Sequence, residues 1–234
     1  MDKELNKKVF LDIMVNIKNI LKKEGIRGGI EQFDQIINFV FIKLLSEKQK
    51  LNYWDKLKNI INEDLYYEIN KIKQIINDKF QFELIKDITI KNNNNVIRSI
   101  VSNLDKLEIN EVDQDISGYV FEFFINSAHH NGGLGEYYTP RIVTKYLLNL
   151  IDIKQYESIY DPFCGTGGFL VTAAEENKGN MLFGGEISNS ARIAKMNLIL
   201  HGKEHKHICQ IDSLANPREL LYDIVITNIP FSQK

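Results

Sequence analysis

Carboxylate side chains follow three apolar segments in the second half of the chain, and they are the residues best placed for chemistry. Asp161, Glu186 and Asp212 each end a short segment with the apolar content of a buried strand. Parallel strands bring their carboxyl ends to one edge of a sheet, so the three acids are predicted to lie together. Glu186 follows Asp161 by 25 residues, near the spacing at which a carboxylate binds ribose hydroxyls. The alternative reading, solvated turn residues or helix caps, stays open.

A glycine-rich turn connects the first of these strands to an apolar helix. Residues 161–169 read Asp-Pro-Phe-Cys-Gly-Thr-Gly-Gly-Phe, and Gly165, Gly167 and Gly168 allow a ligand to approach backbone amides at a helix N-terminus. The turn matches neither the dinucleotide fingerprint Gly-x-Gly-x-x-Gly nor a phosphate loop. It suits a ligand with hydroxyl groups and a cationic centre better than a pyrophosphate. A purely structural turn is the alternative.

These motifs need a scaffold that alternates strands and helices, and the pattern from residue 131 onward predicts one. Strands are predicted at 157–161, 181–186, 208–212 and 222–228, with helices after the glycine turn and over 191–200. Thr139-Pro140 predicts a further helix start, with Thr139 as N-cap and Pro140 at the first helical position. The predicted fold class is α/β, with a doubly wound, Rossmann-like parallel sheet.

The first half of the chain shows a different pattern, in which apolar residues are spaced as in helices. Long apolar stripes begin at Phe10 and at Phe33. The four asparagines 92–95 predict a loop, because asparagine favours turns over helices and strands. Two domains are therefore predicted, an all-helical domain at 1–130 and the α/β domain at 131–234.

Composition limits the class of protein. The chain has 234 residues, of which 44% are hydrophobic and 26% charged, as is typical of a folded globular protein. No uninterrupted apolar stretch follows the N-terminus, so neither a signal peptide nor a membrane span is predicted, and the expected location is cytoplasmic. Two cysteines, Cys164 and Cys209, do not make a disulfide framework. A net charge of −2 means that a nucleic-acid role would require a basic partner.

Three histidines and a cysteine crowd one segment near the end of the chain. They are His201, His205, His207 and Cys209. No Cys-x-x-Cys pair accompanies them, so no metal site is predicted, and the histidines are expected on the surface or at a strand start.

Five segments of the second half carry motifs in a fixed order. They are 135–141 (Gly-Glu-Tyr-Tyr-Thr-Pro-Arg), 161–169, Gly185-Glu186, Asp212 and 228–231 (Asn-Ile-Pro-Phe). Together they resemble the S-adenosylmethionine-dependent amino-methyltransferases of DNA, and most closely the methyltransferase (M) subunit of type I restriction-modification systems. The loop before the first strand is similar to that of adenine-N6 enzymes with the γ-type motif order. The similarity covers about 100 residues.

The resemblance implies how S-adenosyl-L-methionine would be bound. The loop before the first strand would close over the methionine end, and the glycine turn would contact it. Glu186 would take the ribose hydroxyls, and Asp212 the adenine amino group. The cofactor-binding residues implied in this way are Glu136, Tyr137, Tyr138, Thr139, Pro140, Arg141, Asp161, Gly165, Thr166, Gly167, Gly168, Glu186 and Asp212.

The resemblance also implies catalytic roles for Asn228, Ile229, Pro230 and Phe231, which are similar to the family's Asn/Asp-Pro-Pro-aromatic motif. The Asn228 side-chain oxygen and the Ile229 carbonyl would accept the two amine hydrogens of a target adenine. Phe231 would stack on that base once it is flipped out of DNA. No metal is required. Ile229 stands where the family usually has proline, but Pro230 still restricts Ile229 to extended conformations.

The resemblance further implies an incomplete domain and several partners. Family members continue beyond the fourth strand, whereas this chain ends at Lys234, so it resembles an N-terminal fragment truncated after its fourth strand. The implied partners are DNA, a specificity (S) subunit, a restriction (R) subunit and the missing C-terminal half of the M subunit. Two alternatives remain. One is a catalytically incompetent fragment that binds cofactor or partner subunits, and the other is a related methyltransferase acting on a protein glutamine or an RNA base.

Overall fold

The computed structural model describes residues 3–60, 64–90, 93–107, 139–176, 178–179 and 181–229. The chain divides into two compact units, Met1–Gly133 and Leu134–Lys234. Five of the predicted site residues lie outside the described residues, namely Glu136, Tyr137, Tyr138, Pro230 and Phe231.

The described part of the first unit is built from helices, as predicted. Apolar residues on a helical period give the long helices a buried face, and the first stripe buries Phe10, Ile13, Met14, Ile17 and Leu21. The helices are α1 (Lys3–Lys23), α2 (Gly29–Lys48), α3 (Tyr53–Asn59), α4 (Leu65–Phe80) and α5 (Asn94–Leu104).

The loop predicted over the asparagine run is wrong for its last two residues. Asn94 and Asn95 form the first turn of α5. The side chain of Asn93 accepts a hydrogen bond from the amide of Val96 and caps that helix. Asparagine is favoured at this position because its short side chain satisfies an amide that has no partner within the helix.

Three side-chain amides of the first unit bind the backbone of the segment 85–89. The Gln35 amide donates to the Asp87 carbonyl and accepts from the Thr89 amide. Asn38 donates to and accepts from the backbone of residue 86, and Asn77 does the same at residue 85. These bonds satisfy a backbone that no neighbouring strand pairs with among the described residues.

The second unit contains a four-stranded parallel sheet with strand order β3-β2-β1-β4. This is the order of the first four strands of a doubly wound α/β fold, so the predicted fold class is confirmed. The elements in chain order are α6 (Arg141–Leu150), β1 (Ser158–Asp161), α7 (Gly168–Glu175), β2 (Met181–Glu186), α8 (Ser190–Leu200), β3 (Ile208–Gln210) and β4 (Ile224–Val225).

The helices that the structure describes in the second unit share one core with the sheet. Ile159, Leu182 and Ile208 are buried in it, together with Leu148 of α6 and Leu170 of α7. Alternation along the strands sends the next side chains to the other face of the sheet. There Tyr160 stacks on Tyr222, with ring centroids 4.5 Å apart, and Phe183 lies 4.9 Å from Tyr222.

Helix α6 forms where it is predicted, but most of its apolar residues lie outside its buried face. Thr144 and Leu148 are buried, whereas Tyr146 and Leu150 are exposed. The hydroxyl oxygens of Thr144 and Thr172 lie 2.8 Å apart, so a buried polar contact joins α6 to α7.

Three strands are shorter than predicted, and β1 differs only by its first residue. Strand β3 ends at Gln210, two residues before Asp212, and β4 contains only Ile224 and Val225. The pairing with β1 nevertheless extends one residue beyond β4, because the Ile226 amide donates to the Tyr160 carbonyl at 3.0 Å. The chain therefore stays tied to β1 up to the start of the Asn228 motif.

Candidate functional site

The carboxyl ends of β1 and β4 form the centre of the candidate site. From β1 the chain moves outward through β2 and β3, then returns to the opposite side of β1 for β4. Open α/β sheets bind ligands at such a reversal of strand order. Asp161, at the end of β1, is 2% exposed, and the Thr227 hydroxyl donates to its Oδ1 at 2.6 Å.

The Asp161 carboxyl is easily protonated. Burial raises its pKa to about 7, because the charged form loses its hydration, and the negative charge of Glu186 adds to the rise. Hydrogen bonds from Thr227 and from the Phe163 amide oppose this shift. A carboxyl with this pKa changes charge near neutral pH, as residues of functional sites often do.

The glycine turn adopts a conformation that requires glycine at two positions. Gly165 and Gly167 have φ values of +52° and +86°, where other residues are strained. The Gly167 amide donates to the Cys164 carbonyl at 2.7 Å, and the buried side chain of Asn197 donates to the Thr166 carbonyl at 2.9 Å. A Cβ built on Gly165 would meet nothing within 4 Å, so the turn is open on that side.

Glu186 ends β2 and holds the glycine turn through hydrogen bonds to the backbone. Its Oε2 accepts from the Gly165 amide at 2.9 Å, and its Oε1 accepts from the Ser188 amide at 2.7 Å. Each carboxylate oxygen has a second lone pair, so both can still accept a hydroxyl hydrogen. The predicted ribose-binding residue is therefore fixed in orientation beside the turn.

Asp212 fits both interpretations of the acids at the strand ends, as a residue that stabilises a turn and as a residue at the edge of the sheet where a ligand is predicted. Its Oδ1 accepts from the amides of Leu214 and Ala215, at 3.0 and 3.1 Å, so it does stabilise a turn. It also follows β3, the strand next to β2, and stands at the same sheet edge as Glu186. A role in cofactor binding stays a prediction for this residue.

Asn228 lies just beyond β4 and contacts Thr139, two residues before the start of α6. Its side-chain Nδ2 donates to the Thr139 hydroxyl oxygen at 3.1 Å. The prediction that Thr139 caps α6 is wrong, since Pro140 occupies the N-cap position and makes no side-chain cap. The amides of Val143 and Thr144 donate to the Pro140 carbonyl, as is usual at the N-cap of a helix. The Thr139 hydroxyl is thus available to Asn228.

The other predicted site residues occupy varied surroundings. Arg141 forms an ion pair with Glu175 of α7, and Gly168 is the first residue of α7. Thr166 is buried within the turn, and the side chain of Ile229 is exposed. The structure brings Asp161, Gly165–Gly168, Glu186, Thr139 and Asn228 to one edge of the sheet, and their roles there stay predictions.

Sequence reasoning missed one residue of this site. Thr227 donates to Asp161 and so joins the ends of β1 and β4. A threonine in an apolar strand carries no signal of its own, because threonine is common in strands. Its position directly before Asn228 is the clue that could have identified it.

Metal ligands and membrane-spanning helices were sought among the described residues. Within them, no group of three histidine, cysteine, aspartate or glutamate side chains is arranged to hold a metal ion. In the same part of the chain, no helix has both the length and the apolar character needed to cross a membrane.

Comparison with known proteins gives consistent matches. Residues 112–234 match the family described as N-6 DNA Methylase. The EcoEI methylase subunit of an Escherichia coli type I restriction enzyme is 23% identical over 94% of this chain and 55% of its own length. The MjaVIII methylase subunit of Methanocaldococcus jannaschii is 29% identical over 94% of this chain and 43% of its own length. The chain thus spans about half the length of these relatives.

Solved structures show the same fold. A modification subunit of a putative type I restriction enzyme from Vibrio vulnificus YJ016 superposes with a TM-score of 0.69, at 22% identity, over 97% of this chain and 61% of that one. A type I methyltransferase subunit from Streptococcus thermophilus superposes with a TM-score of 0.58. The family match extends over more than half of the chain and agrees with the order of the motifs in the sequence. The chain therefore belongs to the N-6 DNA methylases.

Proposed function

We propose that this chain provides the cofactor-binding half and the catalytic asparagine of a type I DNA methyltransferase, which transfers a methyl group from S-adenosyl-L-methionine to N6 of adenine. One observation carries the proposal. Asn228 stands at the reversal of strand order, beside the buried Asp161 and in contact with the Thr-Pro segment before α6. This juxtaposition joins three of the motifs by which the family is recognised.

The residues at the sheet edge fit S-adenosyl-L-methionine. The space beside Gly165 admits a ligand against the turn, and a side chain at Gly167 would approach within 3.3 Å of Ala194. Glu186 retains acceptor capacity for ribose hydroxyls. Asp161 supplies a buried carboxyl that can become negative toward a cationic ligand. When bound, this cofactor supplies an electrophilic methyl group on a sulfonium.

The chain's own residues would activate the acceptor. The lone pair of adenine N6 is delocalised into the ring, so the amine is a poor nucleophile. Acceptance of its two hydrogens by Asn228 Oδ1 and by the Ile229 carbonyl would concentrate that lone pair on nitrogen. The target base must leave the duplex to reach these groups, since its amine is otherwise paired. DNA and a specificity subunit are the partners that this proposal requires.

Calorimetry with S-adenosyl-L-methionine tests the cofactor site in the 234-residue chain. We expect binding by the wild type and its loss in Asp161→Ala and Glu186→Ala. Glu219→Ala, an exposed acid of the same unit, is the control and should bind as the wild type does. Unchanged affinity in both site variants would refute the assignment of the site.

Methyl transfer tests the acceptor site. The 234-residue chain should methylate adenine in DNA only when the remainder of the methylase and a specificity subunit are supplied. Asn228→Ala should abolish transfer while cofactor binding persists, because the amide acts on the target amine and not on the cofactor. Full transfer by Asn228→Ala would overturn its catalytic assignment.

A further inference from the structure

We infer that Thr139 is a positioning residue that orients the side-chain amide of Asn228 for the reaction. The inference rests on the proposed function, and it gives Thr139 a role other than contact with the cofactor. It starts from the hydrogen bond between Asn228 Nδ2 and Thr139 Oγ1, at 3.1 Å. Thr139 and Asn228 are 89 residues apart in the sequence, so the fold itself must bring them together.

Three successive residues bind the end of β4 to its surroundings. The Ile226 amide donates to the Tyr160 carbonyl at 3.0 Å, which fixes the backbone. The Thr227 hydroxyl then donates to the Asp161 carboxyl at 2.6 Å, and the side-chain amide of Asn228 donates to the Thr139 hydroxyl oxygen. The first two bonds fix the position of the Asn228 backbone, and only the third acts on its side chain.

The orientation of a carboxamide determines which of its two polar atoms it offers to a ligand, and the third bond acts on this orientation. The Asn228 amide can present either its oxygen or its nitrogen to a ligand, since rotation by half a turn exchanges the two. Only the oxygen can accept a hydrogen from a target amine. Because Nδ2 donates to Thr139, Oδ1 occupies the other branch of the planar group, and no described residue donates a hydrogen bond to it. In the observed orientation the Thr139 bond uses the nitrogen of the amide, and so it holds the amide with its oxygen turned to the other side.

Thr139 is itself held in place. It precedes Pro140, and the residue before a proline is restricted to extended conformations. The Pro140 carbonyl accepts hydrogen bonds from the Val143 and Thr144 amides, at 2.9 and 3.1 Å, so the segment is tied to the first turn of α6. The Thr139 hydroxyl does not cap the helix and has Asn228 as its partner.

Two substitutions separate a positioning role from a contact with the cofactor. Thr139→Val keeps the shape of the side chain but cannot accept the hydrogen bond, whereas Thr139→Ser keeps the hydroxyl. In the methyltransferase assembled with its remaining segment and specificity subunit, we expect Thr139→Val to lower kcat roughly tenfold, the size of one neutral hydrogen bond. The KM for DNA and the Kd for S-adenosyl-L-methionine should stay within about twofold. Thr139→Ser should restore kcat.

Nuclear magnetic resonance of the 234-residue chain reports the contact without any turnover. The side-chain amide signal of Asn228 is identified by its loss in Asn228→Asp. We expect Thr139→Val to shift the hydrogen-bonded proton of that amide upfield, and Thr139→Ser to leave it near its original position. An unchanged signal in Thr139→Val overturns the inference.

The kinetic results are equally decisive. If Thr139→Val weakens S-adenosyl-L-methionine binding tenfold and leaves kcat unchanged, Thr139 acts on the cofactor and the inference is wrong. If the wild-type assembly transfers no methyl group, the proposed function fails. The resonance shift then still decides whether Thr139 orients the Asn228 amide.

Discussion

Replacement of Asp161 by asparagine should change the pH dependence of stability in the second unit. The wild-type carboxyl is buried, and burial raises its pKa to about 7. Asparagine has nearly the same shape, and its Oδ1 can still accept from Thr227 and from the Phe163 amide. The substitution therefore removes the ionisation and keeps the principal hydrogen bonds.

The sign and size of the effect follow from the shift in pKa. The folded Asp161 holds its proton up to about pH 7, whereas its ordinary pKa is 3.8. The folded state thus binds more protons than the unfolded state between these values, and stability falls as pH rises through this range. The rise in pKa from 3.8 to about 7 corresponds to about 4 kcal/mol of folding stability, of which about 3 kcal/mol is lost between pH 5 and pH 8. Asp161→Asn should lack this loss.

Urea unfolding at several pH values measures the difference. In a Cys209→Ala background, Cys164 is the remaining thiol, and because it is buried, pulse labelling of it reports unfolding of the second unit. The fluorescence of Trp54, the single tryptophan, reports the first unit in the same samples. At each pH, the free energy of unfolding of wild type is subtracted from that of Asp161→Asn. This difference should increase by about 3 kcal/mol from pH 5 to pH 8.

Asp223→Asn is the matched control for this experiment. Hydrogen bonds from the backbone and side chain of Ser158 lower the pKa of the Asp223 carboxyl, so it stays ionised from pH 5 to pH 8. Its difference from wild type should therefore be independent of pH in that range. A pH-independent difference for Asp161→Asn as well would refute the reasoning, because it would mean that Asp161 titrates at an ordinary pKa.

Two further predictions concern packing and buried amides. Gly184→Ala should destabilise the second unit by about 1 to 3 kcal/mol, because the added Cβ would lie 2.9 Å from the Cys164 sulfur. Gly168→Ala is the control and should be tolerated, since its Cβ would have no neighbour closer than 3.8 Å. Thermal unfolding compares the two variants, and equal melting temperatures would contradict the prediction. Asn38→Ala should destabilise the first unit by about 2 to 4 kcal/mol, because it removes the hydrogen bonds to the amide and the carbonyl of residue 86. Asn103→Ala, at a more exposed position on a helix, should change the free energy of unfolding little. Urea unfolding followed by tryptophan fluorescence measures this second difference, and an equal loss in both variants would contradict it.

The sequence predicts the elements of the site better than the bonds between them. Strand β1, the glycine turn and the acid at Glu186 follow from apolar patterning and glycine spacing, which are local properties. The partner of Thr139 is not predictable in this way. A hydroxyl before a proline most simply caps a helix, and only the return of the chain beside β1 offers it Asn228 instead.

The same limit applies to the first unit. Glutamine and asparagine at positions 35, 38 and 77 give no sign that they bind the backbone of residues 85–89. A polar residue in a helix is usually read as solvent-exposed. Which polar residues become internal depends on which segment packs across the helix, and that is decided by the tertiary fold.

The wide separation of β1 and β4 along the chain has a consequence for the order of folding. Strands β1, β2 and β3 pair with sequence neighbours through short crossovers, whereas β4 pairs with β1 only after more than 60 intervening residues. Closing the longer loop costs more chain entropy, and β4 offers only two paired residues in return. We therefore expect the glycine turn to be in place before Asn228 docks, so that Asn228 is the last part of the candidate site to form during folding and the first to detach during unfolding.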